Sequence, residues 1–429
     1  MAFLVACTCL ILQAEPSRAA DPFSFNMEEF EKKSLEFNGY LELRGEQSHI
    51  DKSAALTRLN FSDEPTSTLE RLAGTVQFGG SYSRANAGLH WLLMAAGQQD
   101  NEGWIDTADV FEAYLGLKPV TNTEVFIGKQ SYNWGKGYAW NPVGFINRVK
   151  DPNDPDESRE GYIIFETDVI KSFTGPLQNA ALTGVVLPVL QDINEDFGEK
   201  YHVNLAAKLY LLYLDTDIDL IAFTGSSRSN SFGIDFSRNI TTNFEVHGEA
   251  AYFSDLEKIV LAEDGSKTRQ AQSTTSVLLG IRHLSSFDLT TIIEYYHNGN
   301  GYSEAEMNRF YNLVNNGSIQ VEEDGRDTIL QQARSLALQG YGRPFLGRDY
   351  LYARVSLKEP ADILYLTPAL TAILNLDDQS FSLTPEIIYT GFTNWELRLK
   401  CAYLGGGSQT EYGEKQNGSK VELRLRYFF

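Results

Sequence analysis

Along most of the chain, apolar and polar residues alternate one by one. The last run is the clearest, with Val421, Leu423, Leu425, Tyr427 and Phe429 alternating with Lys420, Glu422, Arg424, Arg426 and Phe428. A period of two places successive side chains on opposite faces of a β-strand, so this run predicts a strand with one apolar and one charged face. An edge strand leaves amides and carbonyls unpaired, so a strand here predicts a sheet that closes on itself.

The same alternation predicts an all-β fold, a single antiparallel β-barrel of about 18 strands over residues 35–429. One strand, residues 88–96, is ambiguous because Trp91 to Met94 also suit a short buried helix. The predicted strands are residues 35–45, 72–82, 88–96, 110–118, 124–130, 162–170, 180–189, 202–211, 217–225, 231–238, 243–253, 276–284, 288–297, 350–358, 369–376, 381–390, 395–404 and 420–429.

Long and short connections alternate between these predicted strands. The short ones are residues 83–86, 119–123, 212–216, 285–287, 359–362 and 391–394, and the long ones are 46–68, 131–161, 254–275, 298–349 and 405–419. A transmembrane barrel has long extracellular loops and short periplasmic turns, whereas a soluble β-sandwich has no reason to sort its connections in this way. The alternation therefore favours a transmembrane barrel over a soluble sandwich.

In these features the chain resembles bacterial outer-membrane β-barrel proteins of the porin type. Their assembly signal is a C-terminal strand of alternating apolar residues that ends in Phe, matched here through Tyr427 and Phe429. The resemblance extends over nearly the whole mature chain in architecture, and is specific at that strand. It implies a place in the cell outer membrane, contact with outer-membrane lipid and lipopolysaccharide, and insertion by the barrel-assembly machinery.

The first 34 residues predict two segments before the barrel. Residues 1–19 read as a signal peptide, because the apolar run Ala2–Leu12 precedes a small-residue cleavage site that ends at Ala19. Residues 20–34 are then a short periplasmic N-terminal segment. A lipoprotein cleavage box at Leu4–Cys7 is a less favoured alternative.

Composition argues against nucleic-acid partners and against an enzyme. The formal charge of −21 disfavours nucleic acid, and 22 Tyr, 25 Phe and 35 Gly suit hairpins and interfacial aromatic girdles. The histidines show no metal-ligand spacing and no phosphate-binding loop occurs, so no metal, other cofactor or catalytic residue is expected. His283 and Ser285 resemble the pair that outer-membrane phospholipases use, but the predicted topology puts them at the periplasmic end.

The segment after the fifth predicted strand has the most distinctive composition. Glycines interleave with Trp and Tyr from Gly128 to Pro142, and an Asp/Asn/Pro-rich run, Asp151 to Asp156, follows. By position the segment resembles the porin loop that folds into the lumen and narrows it. The predicted constriction residues are Trp134, Lys136, Tyr138, Trp140 and Arg148, with Lys136 and Arg148 expected to reach wall carboxylates such as Glu112. The Asp/Asn run suits a solvated turn better than a calcium site.

The inward faces of the predicted strands carry charges of both signs. The predicted lumen charges are Arg44, Glu112, Arg354, Arg398, Lys400, Arg424 and Arg426. The basic residues of the last two strands lie beside Arg44 across the closing seam, and such a strip can steer anions. Local salt bridges to Glu396 and Glu422 would instead neutralise it, and the sequence is compatible with both interpretations.

The longest predicted connection contains two helices of its own. Ser303 to Glu306 fit a capping box that opens a helix through about Val314, and Thr328 to Gln339 carry helical periodicity that stops at Gly340. The pair is expected above the mouth, either as a lid or as an ordered cap with no gating role.

Together these patterns predict a porin-like channel for passive diffusion of small hydrophilic solutes or ions. A barrel of about 18 strands is wide enough to hold water, and charged walls then sort solutes by size and charge. The alternative is a sheath around a partner, such as a periplasmic or extracellular multihaem cytochrome in an electron conduit across the outer membrane.

Overall fold

The computed structural model of the chain describes residues 34–61, 67–101, 103–155, 157, 159–263 and 265–429. The predicted signal peptide, residues 1–19, and nearly all of the predicted periplasmic segment, residues 20–34, lie outside these ranges. The strands are β1 (Leu35–Ile50), β2 (Thr68–Arg84), β3 (Ala87–Asp100), β4 (Gly103–Val120), β5 (Thr123–Gln130), β6 (Tyr162–Ser172), β7 (Leu177–Val189), β8 (His202–Tyr213), β9 (Thr216–Thr224), β10 (Ser231–Thr241), β11 (Phe244–Leu261), β12 (Lys267–Leu284), β13 (Leu289–His297), β14 (Asp349–Leu357), β15 (Leu366–Asn375), β16 (Phe381–Tyr389), β17 (Trp395–Gly405) and β18 (Asn417–Phe428).

These strands form one closed antiparallel barrel. Each strand pairs with its neighbours in chain order, and β1 pairs with both β2 and β18 in a sheet of 18 strands. Phe429 continues the closing seam, because its N–H donates to the Gly39 carbonyl at 3.1 Å while its own carbonyl accepts the Gly39 N–H at 3.2 Å. The predicted all-β barrel is confirmed, and the ambiguous segment at Trp91 is strand β3.

The barrel is apolar outside and charged inside. On β18, Val421 and Leu423 are 48% and 52% exposed, whereas Glu422 and Arg424 are each 3% exposed. Because neighbouring residues of a strand point to opposite faces, the exposed apolar set lies on the outer wall and the buried charged set on the inner wall. The alternation in the sequence thus predicts the two faces of the wall correctly.

The two ends of the barrel differ. One end, here the loop end, carries residues 51–67, 131–161, 298–348 and 406–416 among its connections. The opposite end, the turn end, is closed by residues 85–86, 121–122, 173–176, 214–215, 242–243, 285–288, 358–365 and 390–394. The predicted loop over residues 254–275 is wrong, because Leu256–Leu261 pairs with Lys267–Gln272 and extends the β11–β12 hairpin.

Short helices pack together at the loop end. They are α1 (Ala55–Asn60), α2 (Glu304–Asp324) and α3 (Thr328–Leu336), followed by a π-helical turn at Ala337–Tyr341. The predicted capping box opens α2, with Ser303 accepting the Glu306 N–H. That helix runs ten residues beyond the predicted end at Val314, and Gly317 lets it approach α3 closely, because a Cβ there would lie 2.8 Å from the Leu330 nitrogen.

Three connections interlock in this cap. Arg58 of α1 donates to Asn315 of α2 at 2.9 Å, and Arg334 of α3 donates to the Leu59 carbonyl at 2.8 Å. The Ala55 N–H, at the start of α1, donates to Glu414 of the 406–416 connection at 2.5 Å. Within the described ranges, the helices are all too short or too polar to span a bilayer.

Candidate functional site

A row of carboxylates crosses three neighbouring strands on the inner wall. Asp219 of β9 lies directly opposite Asp235 of β10, and Asp235 lies opposite Glu249 of β11. All three are at most 3% exposed. Buried like charges side by side repel one another and lose their hydration. This acidic row therefore requires positive charge or N–H donors from elsewhere.

The connection between β5 and β6, residues 131–161 and here called the lumen loop, supplies those groups. Lys136 Nζ lies 2.9 Å from an Asp219 oxygen and 3.8 Å from an Asp235 oxygen. The backbone N–H groups of Lys136 and Gly137 donate to Glu249 Oε1 at 2.6 and 2.7 Å. Burial alone would lower the pKa of the Lys136 ammonium, but its hydrogen bond to Asp219 and the nearby acidic charges raise it above its ordinary value.

Two glycines permit this close approach. Gly135 has a φ of 104°, a conformation that side chains with a Cβ rarely adopt, and a Cβ there would lie 2.7 Å from Glu249 Oε1. A Cβ on Gly137 would lie 2.1 Å from the Trp140 carbonyl. The Gly-Lys-Gly sequence therefore folds into a turn that presents successive N–H groups to one buried carboxylate.

Glu294 of β13 holds the next part of the lumen loop. Its two oxygens accept the N–H groups of Tyr138 at 2.5 Å and Ala139 at 2.8 Å. The ring of His247, which is buried, lies 2.9 Å from the same carboxylate and packs against Tyr138. Wall carboxylates on β11 and β13 thus hold mainly backbone N–H groups of the loop, and Glu249 Oε1 also accepts a hydrogen bond from the Asn141 side chain at 2.9 Å.

The two tryptophans of the lumen loop are buried against different parts of the wall. Trp134 belongs to an apolar cluster with inward-facing residues of β6, β7, β8, β9 and β11. Trp140 belongs to a second cluster with Leu278, Ile292 and Tyr352, and its ring stacks on Tyr296 at a centroid distance of 5.1 Å. Burying two large aromatic rings holds the loop along the wall from β6 to β15.

The far part of the lumen loop reaches a row of arginines. Arg398 of β17, Arg424 of β18 and Arg44 of β1 lie directly opposite one another across the closing seam. Asp154 places its carboxylate 2.8 Å from Arg424, 3.3 Å from Arg398 and 3.6 Å from Lys400.

This contact corrects the expectation of a solvated turn at Asn153 and Asp154. Asp154 is 9% exposed, and Asn153 accepts hydrogen bonds from Thr384 at 3.2 Å and Lys400 at 3.1 Å. Burial opposes ionisation of Asp154, but the charges of Lys400, Arg424 and Arg398 outweigh it and lower the pKa of the carboxyl. Asn153 and Asp154 are therefore paired with the wall, whereas Asp151 is exposed.

The other predicted lumen charges have partners of their own. Arg426 lies 2.6 Å from Glu42, Arg44 lies 3.4 Å from Glu46, and Arg354 pairs with Glu386. Arg398 and Arg424 also contact Glu396 and Glu422, at 3.2 and 3.0 Å. Local salt bridges, the second interpretation of the sequence, therefore describe the geometry of the basic strip.

Glu112 and Arg148 do not form the contacts expected of them. Glu112 lies 3.0 Å from His90 and accepts the Ser131 N–H at 3.1 Å, so it holds the first residue of the lumen loop. Arg148 pairs with Asp196 and lies 3.4 Å from Glu160. Lys136 therefore reaches wall carboxylates as expected, but these are Asp219 and Asp235 and not Glu112, whereas Arg148 pairs with carboxylates of the connections.

The functional residues that sequence reasoning missed are Asp154 and Asp219. Asp154 has the composition of an exposed turn around it, and its partners are more than 200 residues away in sequence. The position of Asp219 could have been predicted from the sequence. It shares one face of β9 with Asp217, Ile221 and Phe223, at intervals of two residues. Asp235 and Glu249 follow the same alternation on β10 and β11, so pairing the three strands shows the row.

Comparison with known proteins supports the fold. No protein-family model matches the sequence, and no curated protein matches it. Among solved structures, OpdQ of Pseudomonas aeruginosa is similar with a TM-score of 0.54 at 10% identity, covering 92% of this chain and 98% of that one. OccAB1 of Acinetobacter baumannii gives a TM-score of 0.52 at 11% identity, covering 92% and 97%. The outer membrane protein OpdK of P. aeruginosa gives 0.50 at 10%, covering 92% and 99%.

At this identity the similarity concerns the fold. It extends over almost the full length of each chain, and it agrees with the closed barrel of 18 strands and with the outward apolar face. The chain therefore has the porin-like β-barrel fold of bacterial outer-membrane proteins.

Proposed function

We propose that this protein is an outer-membrane channel through which small hydrophilic solutes or ions diffuse passively. The observation that carries the proposal is the burial pattern of the wall, which is the reverse of that in a soluble protein. Apolar residues are exposed on the outside, and charged residues are enclosed inside. Such a wall suits lipid on one side and water with solutes on the other. Lipopolysaccharide and the barrel-assembly machinery are the partners that this place in the cell implies.

The lumen loop is proposed to narrow the passage. It contacts inner-wall residues from Glu112 on β4 to Arg424 on β18, so its atoms occupy part of the space that the barrel encloses. Trp134, Lys136, Tyr138, Trp140 and Arg148 are its proposed constriction residues. Solutes would pass beside this loop, along walls that carry charges of both signs.

A sheath around a multihaem cytochrome is not favoured. A partner of that kind needs the inner wall for its own contacts, and the wall from β6 to β15 already carries the two aromatic clusters of the lumen loop. The cap of α1, α2 and α3 adds further packed mass at the loop end. We likewise propose no catalytic role, since the functional features are those of a channel wall.

The test is conductance of the purified protein in a planar lipid bilayer. The expected result is discrete, ohmic current steps from protein that shifts its gel mobility on boiling, which reports a folded barrel. Boiled protein at the same concentration is the control and is expected to give no steps. Folded protein that gives no current, or that co-purifies with a haem protein in equal amounts, would contradict the proposal.

A further inference from the structure

We propose that Asp219 and Asp235 share a single proton at neutral pH, and that this singly charged pair is what Lys136 of the lumen loop binds. The two aspartates lie directly opposite each other on β9 and β10. The inference concerns how the lumen loop is held against the wall. It deepens the proposed channel function, and only its electrical measurement rests on that function.

Asp235 is enclosed without a hydrogen-bond donor. Its side chain is 0% exposed, and neither of its carboxyl oxygens has a hydrogen-bond partner among the described residues. Lys136 Nζ lies 3.8 Å from an Asp235 oxygen, which is too far for a hydrogen bond. An ionised carboxylate in this position would lose its hydration and gain no hydrogen bond in return, so the neutral, protonated form is favoured.

The donors that reach the acidic row serve its other two members. Asp219 Oδ2 receives the Lys136 ammonium at 2.9 Å. Glu249 accepts four hydrogen bonds from the lumen loop, given by the N–H groups of Lys136, Gly137 and Val143 and by Asn141 Nδ2. Both carboxylates therefore have donors that stabilise the ionised form, and Asp235 is left as the member that suits a proton.

A proton on Asp235 has an acceptor beside it. Asp219 Oδ1 is buried and lacks a donor among the described residues, and the two carboxyl groups lie within hydrogen-bonding reach of each other. Ionised carboxylates are acceptors only, so a hydrogen bond between them requires a proton on one of them. Two buried carboxyl groups in contact do not both ionise readily, and the proton then belongs to the pair.

The other ionisable groups that face the pair have contacts of their own. They are Asp217 on β9, Tyr210 and Lys208 on β8, and His247 and Glu249 on β11. The Tyr210 hydroxyl donates to Asp217, Lys208 Nζ lies 5.6 Å from the centroid of the Trp134 ring, and His247 lies 2.9 Å from Glu294 and 3.5 Å from Glu245. Within the described ranges, Lys136 is the cation that contacts the pair, and its single charge balances a single negative charge.

The first measurement is infrared spectroscopy of folded, detergent-solubilised protein at pH 7. The wild type is expected to show a carbonyl stretching band of a protonated carboxyl group that is lost in Asp235→Asn and also in Asp219→Asn. Each substitution leaves one carboxylate, which can ionise beside Lys136. Asp217→Asn, on the same face of β9, adds the same amide absorption and is the matched control that should keep the band. Asparagine has the shape of a protonated aspartate, so the variants should still form heat-modifiable barrels.

The second measurement is the reversal potential at pH 7 in a salt gradient. Asp219→Asn and Asp235→Asn should each match the wild type, because one negative charge remains on the pair in every case. The double variant removes that charge, leaves Lys136 unpaired and should shift selectivity toward anions.

The proposal is overturned if each single variant shifts the reversal potential by about half the shift of the double variant, since two ionised carboxylates would then be present. It is also overturned if neither single variant removes a protonated-carboxyl band from the wild-type spectrum. The infrared measurement needs no conduction. A folded protein that shows the band without current therefore loses only the channel function, and one that conducts without the band loses only the shared proton.

Discussion

The Asp154 carboxylate lies 2.8 Å from the guanidinium of Arg424. Arg424 is the middle residue of a row of three arginines, between Arg398 and Arg44. At the other part of the same loop, Lys136 lies 2.9 Å from Asp219 in the row of Asp219, Asp235 and Glu249. The lumen loop therefore carries a negative charge to the basic wall and a positive charge to the acidic wall. Each contact compensates charges that the wall strands place side by side.

Asp154→Asn is expected to make the channel more selective for anions. The substitution keeps the shape of the side chain but leaves Arg398, Lys400 and Arg424 with less negative charge beside them. The measurement is the reversal potential in a tenfold salt gradient. Asp151→Asn removes the same charge from an exposed position of the same loop and is the control, with little change expected. Equal shifts in the two variants would show that the Asp154 contact has no special effect on permeation.

The contact of Asp154 with the wall is expected to survive mild acid. Its pKa lies below the ordinary carboxyl value of about 3.9, so the folded state binds the proton less readily than the unfolded chain. The resulting stabilisation is complete above about pH 4 and is lost as the pH falls through the lower, folded pKa. Any change in conductance between pH 7 and pH 5 should therefore be the same in the wild type and in Asp154→Asn. A change between these pH values that Asp154→Asn abolishes would contradict this assignment.

Lys136→Met is expected to destabilise the barrel. It leaves Asp219 and Asp235 buried without their cation, and breaking a buried ion pair in this way costs about 3 to 5 kcal/mol. The measurement is the temperature at which the detergent-solubilised protein changes gel mobility, which should fall. Lys200→Met disrupts an exposed ion pair with Glu195 and should leave that temperature nearly unchanged. The same temperature in both variants would mean that Lys136 does not compensate the acidic row.

Phe429 and Gly39 are expected to act together in barrel closure. A Cβ at Gly39 would lie 2.3 Å from the Gln77 carbonyl of β2 and 2.6 Å from the Phe429 ring, and the backbones of Gly39 and Phe429 exchange hydrogen bonds. Gly39→Val and Phe429→Asp should both lower the amount of folded protein in the outer membrane fraction. Phe428→Ser, on the inward face of the same strand, should have little effect. Normal assembly of both Gly39→Val and Phe429→Asp would contradict this account of the seam.

The sequence predicted the wall better than the loop. Alternation of apolar and polar residues is a local consequence of the strand period, so the 18 strands follow from it, with ambiguity only at residues 88–96. The extension of β11 and β12 was not predicted, because Glu257, Lys258 and Arg269 place charges on both faces of the hairpin there. Alternation is weak there, although the backbone pairing continues.

The partners of the lumen loop were beyond sequence reasoning for a different reason. Glycines and aromatic residues near Trp134 indicated a compact segment, but not which carboxylates it meets. Lys136 pairs with residues on β9 and β10, and Asp154 with residues on β17 and β18, and these contacts follow from how the closed barrel arranges distant strands. Composition does not determine that arrangement, so it favoured Glu112 as the partner of the loop cations and a solvated turn around Asp154.

The most direct test of the lumen loop as the constriction is to replace residues 132–159 with a short Gly-Ser turn. β5 and β6 already pair from Thr123 to Gln130, so the hairpin can close without the loop. The measurement is single-channel conductance together with the size limit for sugar entry into liposomes. Both are predicted to rise, because the atoms that run along the wall from β6 to β18 are removed. Wild-type conductance and an unchanged sugar limit, in a variant that still assembles as a heat-modifiable barrel, would contradict the account.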